Sequence, residues 1–196
     1  MQFWFEFAST YSYPAAMRIE TAAASRGVAI AWRPFLLGPI FAAQGWNDSP
    51  FNLQPAKGRY MWRDLERRCA GYGLPLRHPS RFPRSSVLAA RVALAAAGEL
   101  WLPAFVRAVY HANFAEDCNI SERAVIADLL DGLGLPATAL LARGDSDIVK
   151  EGLRTQTAEA QRLGIFGAPS FIVAGELFWG DDRLEDALDW HVRHAA

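Results

Sequence analysis

The sequence predicts an α/β fold carrying a large all-helical insertion, and three observations predict it. The first third of the chain alternates strand-like and helix-like segments as βαβ, the end reads αββα, and the block between them is helical. A βαβ start and a ββα end can share one sheet with helices on both faces. Residues 1–37 and 145–196 therefore read as one discontinuous domain, with 38–144 as the insertion. The chain has no internal repeat and no low-complexity linker, so the insertion is expected to pack on the sheet domain.

Gln2 to Phe7 is aromatic and nearly continuous in apolar character, which suits a buried strand. Ser9 to Pro14 follows as a turn with helix-start residues, Ala15 to Arg26 as a helix ended by Gly27, and Val28 to Trp32 as a second strand. In the insertion, helices are expected at Lys57–Tyr72, with Met61, Leu65 and Cys69 on one stripe, and at Ser86–Ala97. Leu100–Ala115, striped by Trp101, Phe105 and Val109, and Ser121–Leu133 complete the insertion's helices. Ile148–Leu163 reads as a helix, Ser170–Val173 and Glu176–Trp179 as strands around Ala174-Gly175, and Arg183–His194 as a closing helix.

Interspersed charges summing to -1 over 196 residues leave no footprint for nucleic acid or an anionic membrane, so neither partner is expected. No apolar run approaches the roughly 20 residues that span a bilayer, and the start lacks a basic n-region and cleavage site, so the protein is expected to be cytoplasmic. Cys69 and Cys118 are too far apart to form a CxxC pair and are expected to be reduced, buried thiols. His191 and His194 suit the dipole of the last helix, and no metal ligand is assigned.

Phe7-Ala8-Ser9-Thr10-Tyr11-Ser12-Tyr13-Pro14 sets two hydroxyls three residues apart at a helix start, where Pro14 is tolerated in the first turn. A helix N-terminus offers free N–H donors and partial positive charge to a thiolate or other anion. Taken alone, Ser9 or Ser12 reads as an ordinary N-cap. Beside Gly167-Ala168-Pro169-Ser170-Phe171 the spacing gains a second meaning. The arrangement resembles the thioredoxin superfamily, with serine at both positions of the redox Cys-x-x-Cys motif. It is similar specifically to the kappa-class glutathione transferases and 2-hydroxychromene-2-carboxylate isomerases of the DsbA lineage. Phe5–Tyr13, Pro55–Met61, Gly167-Ala168-Pro169 and Trp179-Gly180-Asp181-Asp182-Arg183-Leu184 carry the resemblance along essentially the whole chain.

The resemblance implies a thioredoxin-like fold with a large helical insertion, glutathione as cofactor and a homodimer. It makes Ser9 the donor to the glutathione sulfur, and a hydroxyl plus a helix N-terminus would lower the thiol pKa. Ala168 would pair with glutathione's extended backbone beside a cis Pro169, although a trans proline opening a strand is the competing reading. Trp179, Gly180, Asp181 and Asp182 would hold the γ-glutamyl end, and Asp182 with Glu185 also has the form of a capping box.

Asn47, Asn52 and Lys57 stand where the resemblance implies glutathione or substrate contacts, and Lys57 also reads as a solvated helix-start lysine. Phe41 and Phe82 occupy positions where the isomerases carry a lysine and a tyrosine. The cationic Leu76–Arg84 loop suits either a substrate carboxylate or a basic surface. The expected activity is glutathione-dependent isomerisation of a small aromatic carboxylate, interconverting 2-hydroxychromene-2-carboxylate and trans-o-hydroxybenzylidenepyruvate or a related pair. A kappa-like transferase or peroxidase, or a non-catalytic glutathione-binding module, is the alternative.

Overall fold

In the computed structural model, which describes residues 1–194, the strands are β1 (Gln2–Phe5), β2 (Ala31–Pro34), β3 (Ser170–Val173) and β4 (Glu176–Trp179). They form one mixed sheet in the order β2-β1-β3-β4, with β1 parallel to β2 and antiparallel to β3, and β3 antiparallel to β4. The first and last segments of the chain thus meet along β1 and β3, where Trp4 faces Ser170.

Both faces of the sheet are covered, which is why β1 reads as a continuous aromatic run. Phe3 and Phe5 enter the main core with Phe171 and Val173, while Trp4 and Ile172 point to the other face against Phe35, Ile40 and Ile165. Phe3 stacks on Phe171 with ring centroids 5.5 Å apart. Fully burying a side chain of this size contributes about 2–3 kcal/mol.

Helix α1 (Ser12–Ala24) covers the main face, and α2 (Leu37–Ala43), α3 (Pro50–Leu53) and α4 (Pro55–Tyr72) follow β2. Helices α5 (Val87–Ala95), α6 (Leu102–Phe114), α7 (Arg123–Gly132) and α8 (Ala137–Gly144) complete the helical block. Helix α9 (Asp147–Arg162) leads to β3, and α10 (Leu184–His194) closes the chain after the 3-10 turn Asp181–Arg183. Met61, Leu65 and Cys69 form the buried stripe of α4, as their spacing predicts. Leu65, Val92, Phe105, Ile126 and Leu141 share a core with Phe3 and Ile19, so the helical block and the sheet have one interior.

The differences from the sequence reading have local causes. β1 stops at Phe5 because the Ser9 N–H bonds back to the Glu6 carbonyl at 2.9 Å and turns the chain. Val28 is drawn to the end of α1, where its N–H bonds to Ala23, so β2 begins at Ala31 and runs to Pro34, which an edge strand tolerates. The sequence reading expects no helix before Lys57, yet α2 and α3 form there, with Pro39 and Pro50 in their first turns. The capping box does not form: Asp182 pairs with Arg183 and Glu185 with Arg18.

Among the described residues, no helix is long and apolar enough to cross a membrane, and no cluster of three His, Cys, Asp or Glu side chains suits a metal. Both cysteines are free, Cys69 buried and Cys118 half-buried.

Candidate functional site

A cavity of about 760 Å³ opens between the Ser9 turn, the helical block and the segment before β3. Ser9 lies on its floor. The Ser9 Oγ donates to the Ala168 carbonyl at 2.8 Å and accepts from the Ser12 N–H at 3.4 Å. Ser9 thus meets the first helical N–H from outside the helix, whose N-cap residue, Tyr11, makes no side-chain cap. Ser12 is the first helical residue, fully buried, and its hydroxyl faces Tyr110 without completing a hydrogen bond of good geometry.

The Ala168-Pro169 bond is cis, and Ala168 meets Ser9 directly. The Gly180 N–H bonds to the Pro169 carbonyl at 3.0 Å, tying this segment to the end of β4. Gly167 lies against the Trp179 indole so closely that a Cβ there would collide with it. Gly180 has φ 115°, a conformation that L side chains rarely adopt. Phe166 and Trp179 stack at the cavity edge with centroids 5.0 Å apart, each about half exposed.

Asp181 has a structural task. It is 1% exposed, and its carboxylate meets Arg18 at 3.0 Å and Arg68 at 2.6 Å. Tyr72 completes the cluster by lying against the Arg18 guanidinium, 3.9 Å from its ring centroid. Asp182 is half exposed, pairs with Arg183 at 3.2 Å and is the carboxylate left accessible in this turn.

Asn47, Lys57 and Phe82 line the cavity, together with Leu36, Phe41, Trp46 and Phe51. Lys57 has no carboxylate partner among the described residues, and its Nζ lies 5.8 Å from the centroid of the Phe51 ring. Asn52 is turned away from the cavity: its amide donates to Asp48 and to the Phe82 carbonyl at 3.2 Å. Arg84 reaches the cavity wall only from behind. Its guanidinium is buried against Asp117 and donates to Asn113 Oδ1 at 3.1 Å and to the Cys118 carbonyl at 2.8 Å. The Ser80 N–H and Arg84 hold the Asp117 carboxyl down at about 2. His78 stacks on Trp62 with centroids 4.4 Å apart, so His78 and Arg84 of the cationic loop are both engaged within the fold.

Glu6 is the residue the sequence reading leaves unnamed. It is 5% exposed at the cavity floor, with Oε2 accepting from the Ala8 N–H at 2.9 Å and Oε1 bonded to the Ser86 hydroxyl. Burial pushes its carboxyl up to about 7, against the opposing pull of Ser86 and the Ala8 and Ser9 N–H groups. The available signal is a lone carboxylate inside the aromatic run Phe5-Glu6-Phe7.

Neither thiol reaches this site. Burial raises Cys69 to about 11, and burial together with Glu116 raises Cys118. Chemically, the arrangement offers a hydroxyl at a helix start, the Gly167-Ala168 backbone lining the wall, an apolar cavity and one cation, Lys57, without a carboxylate partner among the described residues.

Known proteins share this architecture. Residues 1–189 match the family model of the DsbA-like thioredoxin domain. A 2-hydroxychromene-2-carboxylate isomerase from Sphingobium xenophagum is 33% identical over 94% of this chain and 94% of that protein. Glutathione S-transferase kappa 2 from Caenorhabditis elegans is 26% identical over 97% and 90%. A solved 2-hydroxychromene-2-carboxylate isomerase superposes with a TM-score of 0.88 at 26% identity, covering 99% of this chain and 95% of that one. With a four-stranded mixed sheet, a helical block between β2 and α9, and a cis proline facing a Ser-x-x-Ser turn, the chain belongs to the DsbA-like thioredoxin family, in the branch of the 2-hydroxychromene-2-carboxylate isomerases and kappa-class glutathione transferases.

Proposed function

We propose that this protein is a glutathione-dependent isomerase of a small aromatic carboxylate, of the 2-hydroxychromene-2-carboxylate type. The observation that carries the reading is the Ser9–Ala168 contact on the floor of an apolar cavity that contains no cysteine. Glutathione fits this donor set, because the site has a hydroxyl placed to meet a sulfur and lacks a sulfur of its own. When bound, it supplies a nucleophile that adds reversibly to a conjugated carbonyl system and so permits rotation about the double bond.

The roles of the chain's own residues follow from their chemistry. Ser9 exchanges the Ala168 carbonyl for the sulfur, and its hydroxyl favours the ionised form there. The Ala168 backbone, set by Pro169, pairs with an extended peptide as an added strand would. Trp179 and Gly180 bound the γ-glutamyl end, Asp182 meets its ammonium, and Asp181 holds the turn through Arg18 and Arg68. Lys57 and Asn47 receive the substrate carboxylate, while Phe41 and Phe82 flank its ring. Asn52 contributes by fixing Phe82 through its carbonyl.

The experiment is absorbance-monitored interconversion of hydroxychromene carboxylate and trans-o-hydroxybenzylidenepyruvate with limiting glutathione. The isomerase reading predicts many turnovers per glutathione. Consumption of one glutathione per product would favour the transferase reading, to which the kappa relative lends support. Light scattering of the purified chain tests the homodimer that the family resemblance implies.

A further inference from the structure

We propose that Glu6 is a positioning residue for the reactive sulfur: its buried carboxyl ties the Ser9 turn to the cavity wall and shares one negative charge with a thiolate bound at Ser9. The proposal rests on the glutathione reading above and assigns that site a second ionisable member.

Glu6 holds the turn at several points. Its carbonyl accepts from the Ser9 N–H and from the Tyr110 hydroxyl, each at 2.9 Å, and its Oε2 accepts from the Ala8 N–H at 2.9 Å. Its Oε1 bonds to Ser86, immediately before α5. One side chain therefore links two adjoining walls of the cavity, and Ser9 cannot move without disturbing it. The Ser86 hydroxyl both donates and accepts, so this contact survives in either protonation state of the carboxyl.

No cation answers the charge of Glu6. Among the described residues it has no ion pair. From α6 the group facing it is Tyr110, itself fully buried. The Tyr11 hydroxyl donates to Asp64, and Arg84 is turned to Asp117 and Asn113. Lys57 and Tyr60 of α4 line the cavity but make no hydrogen bond or ion pair with Glu6. A thiolate at Ser9 would thus be the charge that Glu6 meets across the turn. Two like charges in so dry a site disfavour each other, and their titrations couple. Thiol with carboxylate and thiolate with carboxylic acid contain the same number of protons, so forming the sulfur anion moves one proton onto Glu6 with no net release. Burial has already brought the carboxyl into the neutral range, where this exchange is accessible.

Glu6→Gln tests the proposal, because the amide can accept from Ala8, donate to Ser86 and carry no charge. The probe is the pH titration of bound glutathione, followed by thiolate absorbance, in wild type and variant. In the wild type the thiolate should appear in two steps. In the variant it should appear in one, with the thiol pKa lower by about one unit. Identical titrations in the two proteins would overturn the proposal and leave the functional reading standing. Absence of glutathione binding to the wild type would overturn both. If the variant does not fold, infrared difference spectra of the wild type near pH 7 decide the matter. Glutathione, and not S-methylglutathione, should strengthen the carboxylic acid C=O band, and equal bands for the two ligands would overturn the proposal.

Discussion

The Ser9 hydroxyl donates to the Ala168 carbonyl across 2.8 Å, joining residues 159 positions apart in the chain. Each group thus occupies the other's hydrogen-bonding capacity in the free site. A ligand that brings a sulfur and a neighbouring peptide N–H can satisfy both at once, so binding exchanges one contact for two. This contact couples the Ser-x-x-Ser turn to the Ala-Pro segment.

Ser12→Ala should leave stability within about 0.5 kcal/mol of wild type or raise it, because the buried Ser12 hydroxyl has no well-formed partner to lose. Ser12 is the first helical residue and not the N-cap, which is Tyr11. Urea denaturation of the two proteins checks this, and a loss near 1 kcal/mol would return the capping role to Ser12.

Asp181→Asn should destabilise the fold by about 3 kcal/mol, since it leaves Arg18 and Arg68 facing a neutral amide in a largely buried cluster. The loss sits at the low end for a broken buried pair because the arginines keep some solvent contact. The shift in the denaturation midpoint measures it. Asp182→Asn, altering an exposed carboxylate, should change stability by less than about 0.5 kcal/mol.

Glu6 makes stability depend on pH in the direction opposite to a salt-bridged carboxylate. Its folded pKa of about 7 lies above its unfolded value near 4.5, so between these values the folded state binds more protons than the unfolded one. Stability should therefore fall as pH rises from about 4.5 to about 7, and this contribution should level off above it, with a total near 3 kcal/mol. Glu6→Gln should remove that slope in denaturation curves collected across the window.

The cysteines should be dispensable for activity. At pH 7 a thiol with a pKa of about 11 is ionised to about one part in ten thousand, so Cys69 is a poor nucleophile even apart from its burial. A folded Cys69→Ala, Cys118→Ala double variant should retain turnover within about twofold, measured in the isomerase assay, because no catalytic thiol is lost.

Much of this site is legible from residue types and spacing, because each motif answers a local rule. Ser9 sits at a helix start, Pro169 precedes an apolar strand, and Met61, Leu65 and Cys69 repeat at helical spacing. What escapes is set by tertiary partners. Nothing near Asp181 in the sequence announces Arg18 and Arg68, so its carboxylate reads as free until the fold buries it. Arg84 likewise reads as a surface cation until Asp117 and Asn113 close around it. Short helices such as α3 are held by the Ser49 cap and the Pro50 start, with too few residues to display a period.

As proposed above, Ser9 tunes a sulfur it does not itself carry. A hydroxyl-to-thiolate hydrogen bond is charge-assisted and worth roughly 1.5–3 kcal/mol, or about one to two pKa units. The most direct measurement is the thiolate absorbance titration of glutathione bound to wild type and to Ser9→Ala, with affinity determined in parallel. Ser9→Ala is expected to raise the bound thiol pKa by about one to two units while affinity stays within about tenfold, because Ala168 and the turn after β4 would supply much of the binding. An unchanged pKa in Ser9→Ala would overturn this role, leaving Ser9 merely structural and the start of α1 to activate the sulfur alone.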